Sequence, residues 1–233
     1  MNAQIVEMEL FDTDVMREDG PTILNLPVDA TLEDVFHAPI CPDLRDLFRR
    51  TLNGPLTSEK RGELTIRQTL ENPELAPKWI GALIALNAHA AASNTIGDAV
   101  QLERHLAHPT DQIASVCLPL NVPGRMWCET QIAPADGPAL GAMAVIDLDA
   151  QDNVRSARLI LTGLGSVPVS INGSLKQLNG QPLTDDTINA VAAAVVQEVA
   201  ARGFSVKGAT DQLAEITRAA FKTCRKGDCS QTN

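Results

Sequence analysis

Apolar residues along this chain fall into two rhythms: short dense runs suited to strands, and stripes at three- and four-residue spacing suited to helices. Both are clearest towards the C-terminus. The runs Leu140 to Asp147 and Val154 to Thr162 flank the polar joint Leu148 to Asn153, which suits a β-hairpin. After a turn-rich link, Thr184 stands as a helix N-cap ahead of Asp185 and Asp186, whose charges offset the helix dipole. Ile188, Val191, Val195 and Val199 then form one apolar stripe predicted to lie on the hairpin sheet, and Gly203 supplies the stop. A last helix is predicted from Ala209 to Lys222, with Leu213, Ile216 and Ala220 inward and Asp211, Glu215 and Arg218 outward.

The front half is less regular. Thr22 to Leu26 reads as a strand, and a helix is predicted from Thr31, where Thr31-Leu-Glu-Asp34 has the capping-box form with Thr31 or Asp29 as N-cap. Pro42 to Leu52 reads as a second helix, with Leu44, Leu47 and Phe48 on one face. Glu63 to Arg67 reads as a strand and Pro77 to Ala92 as a buried, alanine-rich helix around Trp79, Ile80, Leu83, Ile84 and Leu86. Thr95 to His108 is a polar helical stretch, and Asp111 to Leu118 a strand ending at Pro119. Asn121 to Gly137 is rich in Pro and Gly and reads as a connection. Its Trp127 suits either packing against the chain's own core or anchoring a partner.

Composition narrows the classes. At 233 residues, 44% hydrophobic and 21% charged, the chain is globular. A net charge of −10, aromatics at 3% and no tyrosine disfavour nucleic acids and anionic membranes, which want basic patches and stacking platforms. The three cations of Lys222 to Lys226 read as a solvated helix end. No run approaches the roughly 18–20 apolar residues of a membrane span. Glu7, Glu9, Asp12, Asp14, Glu18 and Asp19 stand where a signal peptide needs an apolar core, so a cytoplasmic protein is expected. Five cysteines, at 41, 117, 128, 224 and 229, suit reduced thiols better than a disulfide framework.

Candidate chemistry is thin. Cys224 and Cys229 read as free thiols of a tail, because a four-ligand metal site needs further Cys or His at short spacing. His105 and His108 share a helix spacing but have no third ligand nearby, and His89 reads as a packed side chain of an apolar helix. There is no Gly-x-Ser-x-Gly and no metal-ligand cluster, and Asp185-Asp186 is explained by helix capping. No catalytic residue and no metal ligand is assigned.

Three strings, Gly163-Leu-Gly-Ser-Val-Pro168, Leu178-Asn-Gly-Gln-Pro-Leu183 and Val206-Lys-Gly-Ala-Thr-Asp211, resemble the C-terminal domain of the FAD-binding (medium) subunits of molybdenum hydroxylases. That family includes carbon monoxide dehydrogenase and xanthine dehydrogenase. The likeness extends more faintly backwards through Asp111 to Pro119, Ala82 to Asn87 and Thr65-Ile66, so that it covers residues 62 to 222. It implies an α+β fold: a truncated α/β FAD-lobe-like front half, then a small antiparallel sheet with two packed helices. The implied domains are an unassigned segment 1–60, a degenerate FAD-lobe-like region 61–120, a connection 121–134, a CO dehydrogenase flavoprotein C-terminal-like domain 135–223 and a flexible tail 224–233.

By the same resemblance, FAD would receive electrons from a molybdenum-binding large subunit through an iron–sulfur small subunit, and the family positions for holding it are Arg67, Gln68, Thr69 and Asp136. Here the chain departs from the pattern. Glycine-rich loops let backbone N–H groups approach a pyrophosphate, yet no Ala-Gly-Gly loop occurs in residues 1–60, and the second lobe's Gly-Gly-Asn is Arg67-Gln68-Thr69. Ile132 and Ala133 replace basic positions before Asp136, Ser170 replaces an arginine, and Gln212-Leu213 replaces a Tyr-Arg pair. The resulting expectation is a structural or docking subunit of a molybdenum hydroxylase-type complex with weak or no flavin binding, no bound FAD being the leading expectation. The alternatives are a working FAD subunit in such a complex and a stand-alone cytosolic binding or regulatory protein.

Overall fold

The computed structural model describes residues 4–7, 22–38, 40, 42–53, 56–92, 99–109, 113–120, 122, 124–132, 139–204 and 210–226. They fall into two compact units, Met1–Val122 and Pro123–Asn233. Each has its own antiparallel sheet, so the architecture is α+β, as the strand and helix rhythms predict.

In the first unit the strands are β1 (Gln4–Glu7), β2 (Thr22–Pro27), β3 (His89–Ala91), β4 (Val100–Gln101) and β5 (Ser115–Pro119), in the order β1-β2-β5-β3-β4. Every pairing is antiparallel. The helices are α1 (Leu32–Phe36), α2 (Pro42–Leu52), α3 (Ser58–Glu63), α4 (Ile66–Glu71), α5 (Pro77–Ala85) and α6 (Leu102–Ala107). Thr31 caps α1 in a full capping box with Asp34, settling the choice between Thr31 and Asp29. Leu44, Leu47 and Phe48 of α2 are buried, and Phe48 meets Trp79 of α5 edge to face, with ring centroids 4.8 Å apart.

Several local expectations fail here for identifiable reasons. Glu63 to Arg67 is not a strand: Glu63 ends α3 and Thr65 caps α4, its hydroxyl accepting from the Gln68 N–H while the Gln68 side chain accepts from the Thr65 N–H. That reciprocal Thr-x-x-Gln cap outweighs the β preference of Thr65 and Ile66, and Thr65 keeps only one isolated bridge, to Thr31. The alanine-rich helix does not run to Ala92. It stops at Ala85, and Asn87 takes a left-handed φ of 61°, a conformation asparagine tolerates, while the Ala88 N–H closes back on the Leu83 carbonyl at 2.9 Å. His89 therefore sits on a strand beside Cys117, not on a helix. The strand expected from Asp111 begins at Ser115, and of the helix expected from Thr95 the described part is Leu102–Ala107, with His108 as its C-cap.

The second unit contains β6 (Arg125–Ile132), β7 (Leu140–Leu148), β8 (Val154–Thr162) and β9 (Val169–Ile171), in that order, with α7 (Asp185–Ala201) and α8 (Thr210–Lys226). The 121–134 stretch, read as a connection, holds β6, which pairs with β7 along its whole length from Arg125↔Asp147 to Ile132↔Leu140. The β7–β8 hairpin turns as expected, with the Asp149 carboxylate accepting from the Gln151 and Asn153 N–H groups. At its far end Gly163 has φ +88°, and a Cβ there would lie 2.2 Å from the Ala139 carbonyl oxygen. Only glycine fits.

The core of this unit is one cluster. Cys128, Ala142, Ala144 and Ile146, with Leu159, Leu161 and Ile171, form the sheet side, and Ile188, Val191, Val195, Val199, Leu213, Ile216, Ala220 and Phe221 the helix side. Thr184 caps α7, and Gly203 follows its C-cap with φ +80°. Cys224 is no tail thiol: α8 runs past Lys222, and Cys224 is buried with its Sγ 3.6 Å from the Ala144 carbonyl oxygen. Cys229 and Cys41 lie outside the described residues.

Candidate functional site

The three front residues proposed for cofactor contact open α4. Arg67 stands in its first turn and pairs with Asp29 in the loop after β2, its Nε donating to Oδ1 at 3.0 Å. Both side chains are largely exposed. Gln68 is spent on the cap of its own helix, and Thr69 is fully buried, its hydroxyl donating to the Ile66 carbonyl at 2.8 Å. The structure thus brings Arg67, Gln68 and Thr69 together on one turn, while Asp136 lies outside the described residues.

A diphosphate held in the family's manner needs unpartnered N–H groups at such a turn. Here the Ile66 N–H donates to the Ala30 carbonyl at 3.0 Å and the Arg67 N–H to the Val28 carbonyl at 2.8 Å. The Gln68 N–H donates to the Thr65 hydroxyl at 3.2 Å, and the Thr69 N–H to the Thr65 carbonyl at 3.2 Å. All four donors are committed within the protein. The donor set of this turn does not fit the pyrophosphate of FAD.

A second polar constellation lies on the sheet of the other unit, and the sequence reading passed over it. The β6–β7–β8 register places Arg125, Asp147 and Ser156 in one cross-strand row, with Arg158 in the next row opposite Val145. Strand alternation puts these residues on the face opposite Cys128, Ala144 and Ile146, away from α7 and α8. Arg125 grips Asp147 with both arms of a fork, Nε to Oδ1 at 2.7 Å and Nη2 to Oδ2 at 3.2 Å. The Ser156 hydroxyl donates to Oδ2 at 2.7 Å, and Arg158 stands 3.7 Å away from the same oxygen. Burial pushes the Asp147 carboxyl up, but the hydrogen bonds from Arg125 and Ser156 and the charges of both arginines outweigh it and hold the pKa below the usual carboxylate value. The signal in the sequence was a charged residue, Asp147, closing the apolar run from Leu140, and Arg158 leading into Leu159-Ile160-Leu161.

A third group anchors the β9 end. Glu198 of α7 accepts from the N–H groups of Gly173 and Ser174 and from the Ser174 hydroxyl, and pairs with Arg202. Burial raises its pKa less than these donors and the Arg202 charge lower it. Its role is to clamp the link after β9 to α7. The histidines make no metal centre: His105 is buried with its pKa pushed down by that burial, and among the described residues no group of three His, Cys, Asp or Glu side chains is placed to hold a metal ion. No described helix is long and apolar enough to cross a membrane.

Solved structures share this fold. A carbon monoxide dehydrogenase chain from Hydrogenophaga pseudoflava matches with a TM-score of 0.69 at 16% identity, covering 92% of this chain and 78% of that one. Reconstituted CO dehydrogenase from Oligotropha carboxidovorans matches with a TM-score of 0.66 at 15% identity, covering 90% and 77%. Quinoline 2-oxidoreductase from Pseudomonas putida 86 matches with a TM-score of 0.64 at 16% identity, covering 88% and 75%. At these identities the likeness is one of fold. More particularly, residues 128–212 match the CO dehydrogenase flavoprotein C-terminal domain, so the second unit carries the match that its turn strings suggested. No curated protein matches in sequence.

Proposed function

We propose that this chain is a structural or docking subunit of a molybdenum hydroxylase-type oxidoreductase complex that binds flavin weakly or not at all. Its partners in this reading are a molybdenum-binding large subunit and an iron–sulfur small subunit, in the cytoplasm and with no part for nucleic acid. The observation that carries the reading is the α4 turn, whose first four N–H groups are all bonded inside the protein where a flavin's diphosphate would need them. The match of residues 128–212 to the CO dehydrogenase flavoprotein C-terminal domain supports the link to such a complex. Recovery of the tagged chain from its native host with a molybdenum-containing and an iron–sulfur subunit, and with no flavin absorbance attributable to it, is the expected result. Recovery alone, with neither subunit, overturns the docking role and favours a stand-alone binding protein.

One observation favours a second reading, a working FAD subunit: the fold match extends over 92% of the chain and so includes the front unit. Titration with FAD separates the two. A ligand that binds only the folded state raises its melting temperature. The docking reading expects no rise at saturating FAD with the partner subunits present; a saturable rise with quenched flavin fluorescence replaces it with the second.

A further inference from the structure

We propose that Cys128 and Cys224 are a redox pair whose disulfide locks the end of α8 onto β6. Both side chains are buried in the core cluster of the second unit, and neither is in a disulfide. Their meeting point follows from the strand register. The Leu148 N–H donates to the Gly124 carbonyl at 2.9 Å, and bonded pairs alternate along an antiparallel ladder, so Cys128 and Ala144 form a bonded pair and the Ala144 carbonyl points at Cys128. Cys224 Sγ lies 3.6 Å from that same carbonyl oxygen. The α8 thiol therefore sits over the seam between β6 and β7, beside the Cys128 side chain on the helix-covered face of the sheet.

A thiol buried among apolar groups is inert until something exposes it. The helix end supplies the route: Cys224 stands in the last turn of α8, which closes at Lys226, and terminal turns open at little cost compared with the core. Lys222 and Arg225, both paired with Asp185 of α7, place two cations beside the opened thiol and favour its thiolate. A low-molecular-weight disulfide is the oxidant. The Cys224 thiolate attacks one of its sulfurs and releases the first small thiol; as the turn recloses, Cys128 gives up its proton and its sulfur attacks Cys224 Sγ of the mixed disulfide, releasing the second. Two protein thiols are oxidised, and one small disulfide is reduced to two thiols. The bridge joins residues far apart in sequence, the case in which a cross-link restricts the unfolded chain most. This device stands apart from the docking role, since it lies inside the second unit's own core.

The test treats the full chain with oxidised or reduced glutathione, alkylates the remaining thiols in denaturant and maps the peptides by mass spectrometry. The expected result is a cross-linked peptide pair carrying Cys128 and Cys224 in the oxidised sample, and a melting temperature about 5–15 °C above that of the reduced one. Cys229→Ala keeps the cross-link and the rise, whereas Cys128→Ala loses both. Should Cys128→Ala fail to fold, the wild-type peptide map decides by itself. Alkylation of both Cys128 and Cys224 after oxidation overturns the proposal. So does a bond from Cys224 to Cys229, or to any partner other than Cys128.

Discussion

The α4 turn and the β6–β8 sheet face both gather polar groups, and they differ in where those groups are spent. At α4 every early N–H is closed inside the protein, by carbonyls of Val28 and Ala30 and by Thr65, and the one cation of the turn, Arg67, is neutralised by Asp29 at the surface. On the sheet face, Arg125 and Arg158 share one buried carboxylate, and Nη1 of each is buried without a hydrogen bond. A satisfied turn stabilises the fold and offers nothing to a ligand. An unsatisfied, desolvated group costs stability. By this physics the α4 turn is scaffold, while the sheet cluster is held in place at a cost in stability.

The strongest way to break that contrast is Asp147→Asn. It strands two guanidinium groups, and removing one partner of a buried ion pair costs about 3–5 kcal/mol. Denaturant melts of the two proteins read this directly. The pH dependence carries the same information. Because Asp147 has a folded-state pKa below its ordinary 3.8, its contribution is fully present above that value and is lost as pH falls through the folded-state pKa. The acid-side loss of stability below about pH 4 should therefore be shallower in Asp147→Asn. Equal stability and equal acid limbs would show that the cluster is solvated and unimportant.

Gly163→Ala is the next effect in size and tests the frame that positions the cluster. The new Cβ would meet the Ala139 carbonyl oxygen at 2.2 Å with φ at +88°, so backbone must shift, at a cost of roughly 2–3 kcal/mol. A melting temperature unchanged from wild type would mean that the β8 exit is not held as described.

What was legible in the sequence follows the same division. The second unit could be read because its determinants are local and repeated: the valine stripe of α7, the Thr184 cap and the polar hairpin joint all fell where expected. β6 was missed because Pro and Gly on either side of it masked an eight-residue run whose partner, β7, supplies its pairing. In the first unit, Glu63–Arg67 and Ala85–Ala92 were misread because one reciprocal cap at Thr65 and one left-handed residue at Asn87 decided the outcome, and both act against propensity over a window. The resemblance picked out Arg67, Gln68 and Thr69 as a position but said nothing of what their N–H groups do. The Arg125–Asp147–Arg158 cluster depends on cross-strand register, which no single run encodes.

The two caps give a matched pair of smaller effects. Thr65→Ala and Thr184→Ala each remove a hydroxyl that accepts from a helix N–H, at 3.2 Å in both cases, and each should cost about 1 kcal/mol. Their sharper use is at α4. Thr65→Ala frees the Gln68 N–H, the one early donor of that turn held by a side chain, so it is the least disruptive way to give the turn back a phosphate donor. If a flavin site lay one hydrogen bond away, this variant would gain an FAD-dependent rise in melting temperature. The bonds from the Ile66 and Arg67 N–H groups to Ala30 and Val28 remain, so none is expected.

The smallest effect is that of Arg67→Ala, and it bears most directly on the comparison. The Arg67–Asp29 pair is exposed, at 40% and 65% for the two side chains, and such pairs are worth about 0–1 kcal/mol because solvent and salt screen them. The substitution should therefore leave stability almost unchanged. If Arg67 instead serves as a substitute phosphate ligand, the wild type binds FAD with a steep dependence on salt and Arg67→Ala loses most of that affinity. Fluorescence titration of both proteins with FAD at low and high ionic strength decides the matter. Two flat titrations match a turn whose donors and charge are consumed by the fold, whereas binding that depends on Arg67 would make α4 a site and reverse the contrast with the sheet cluster.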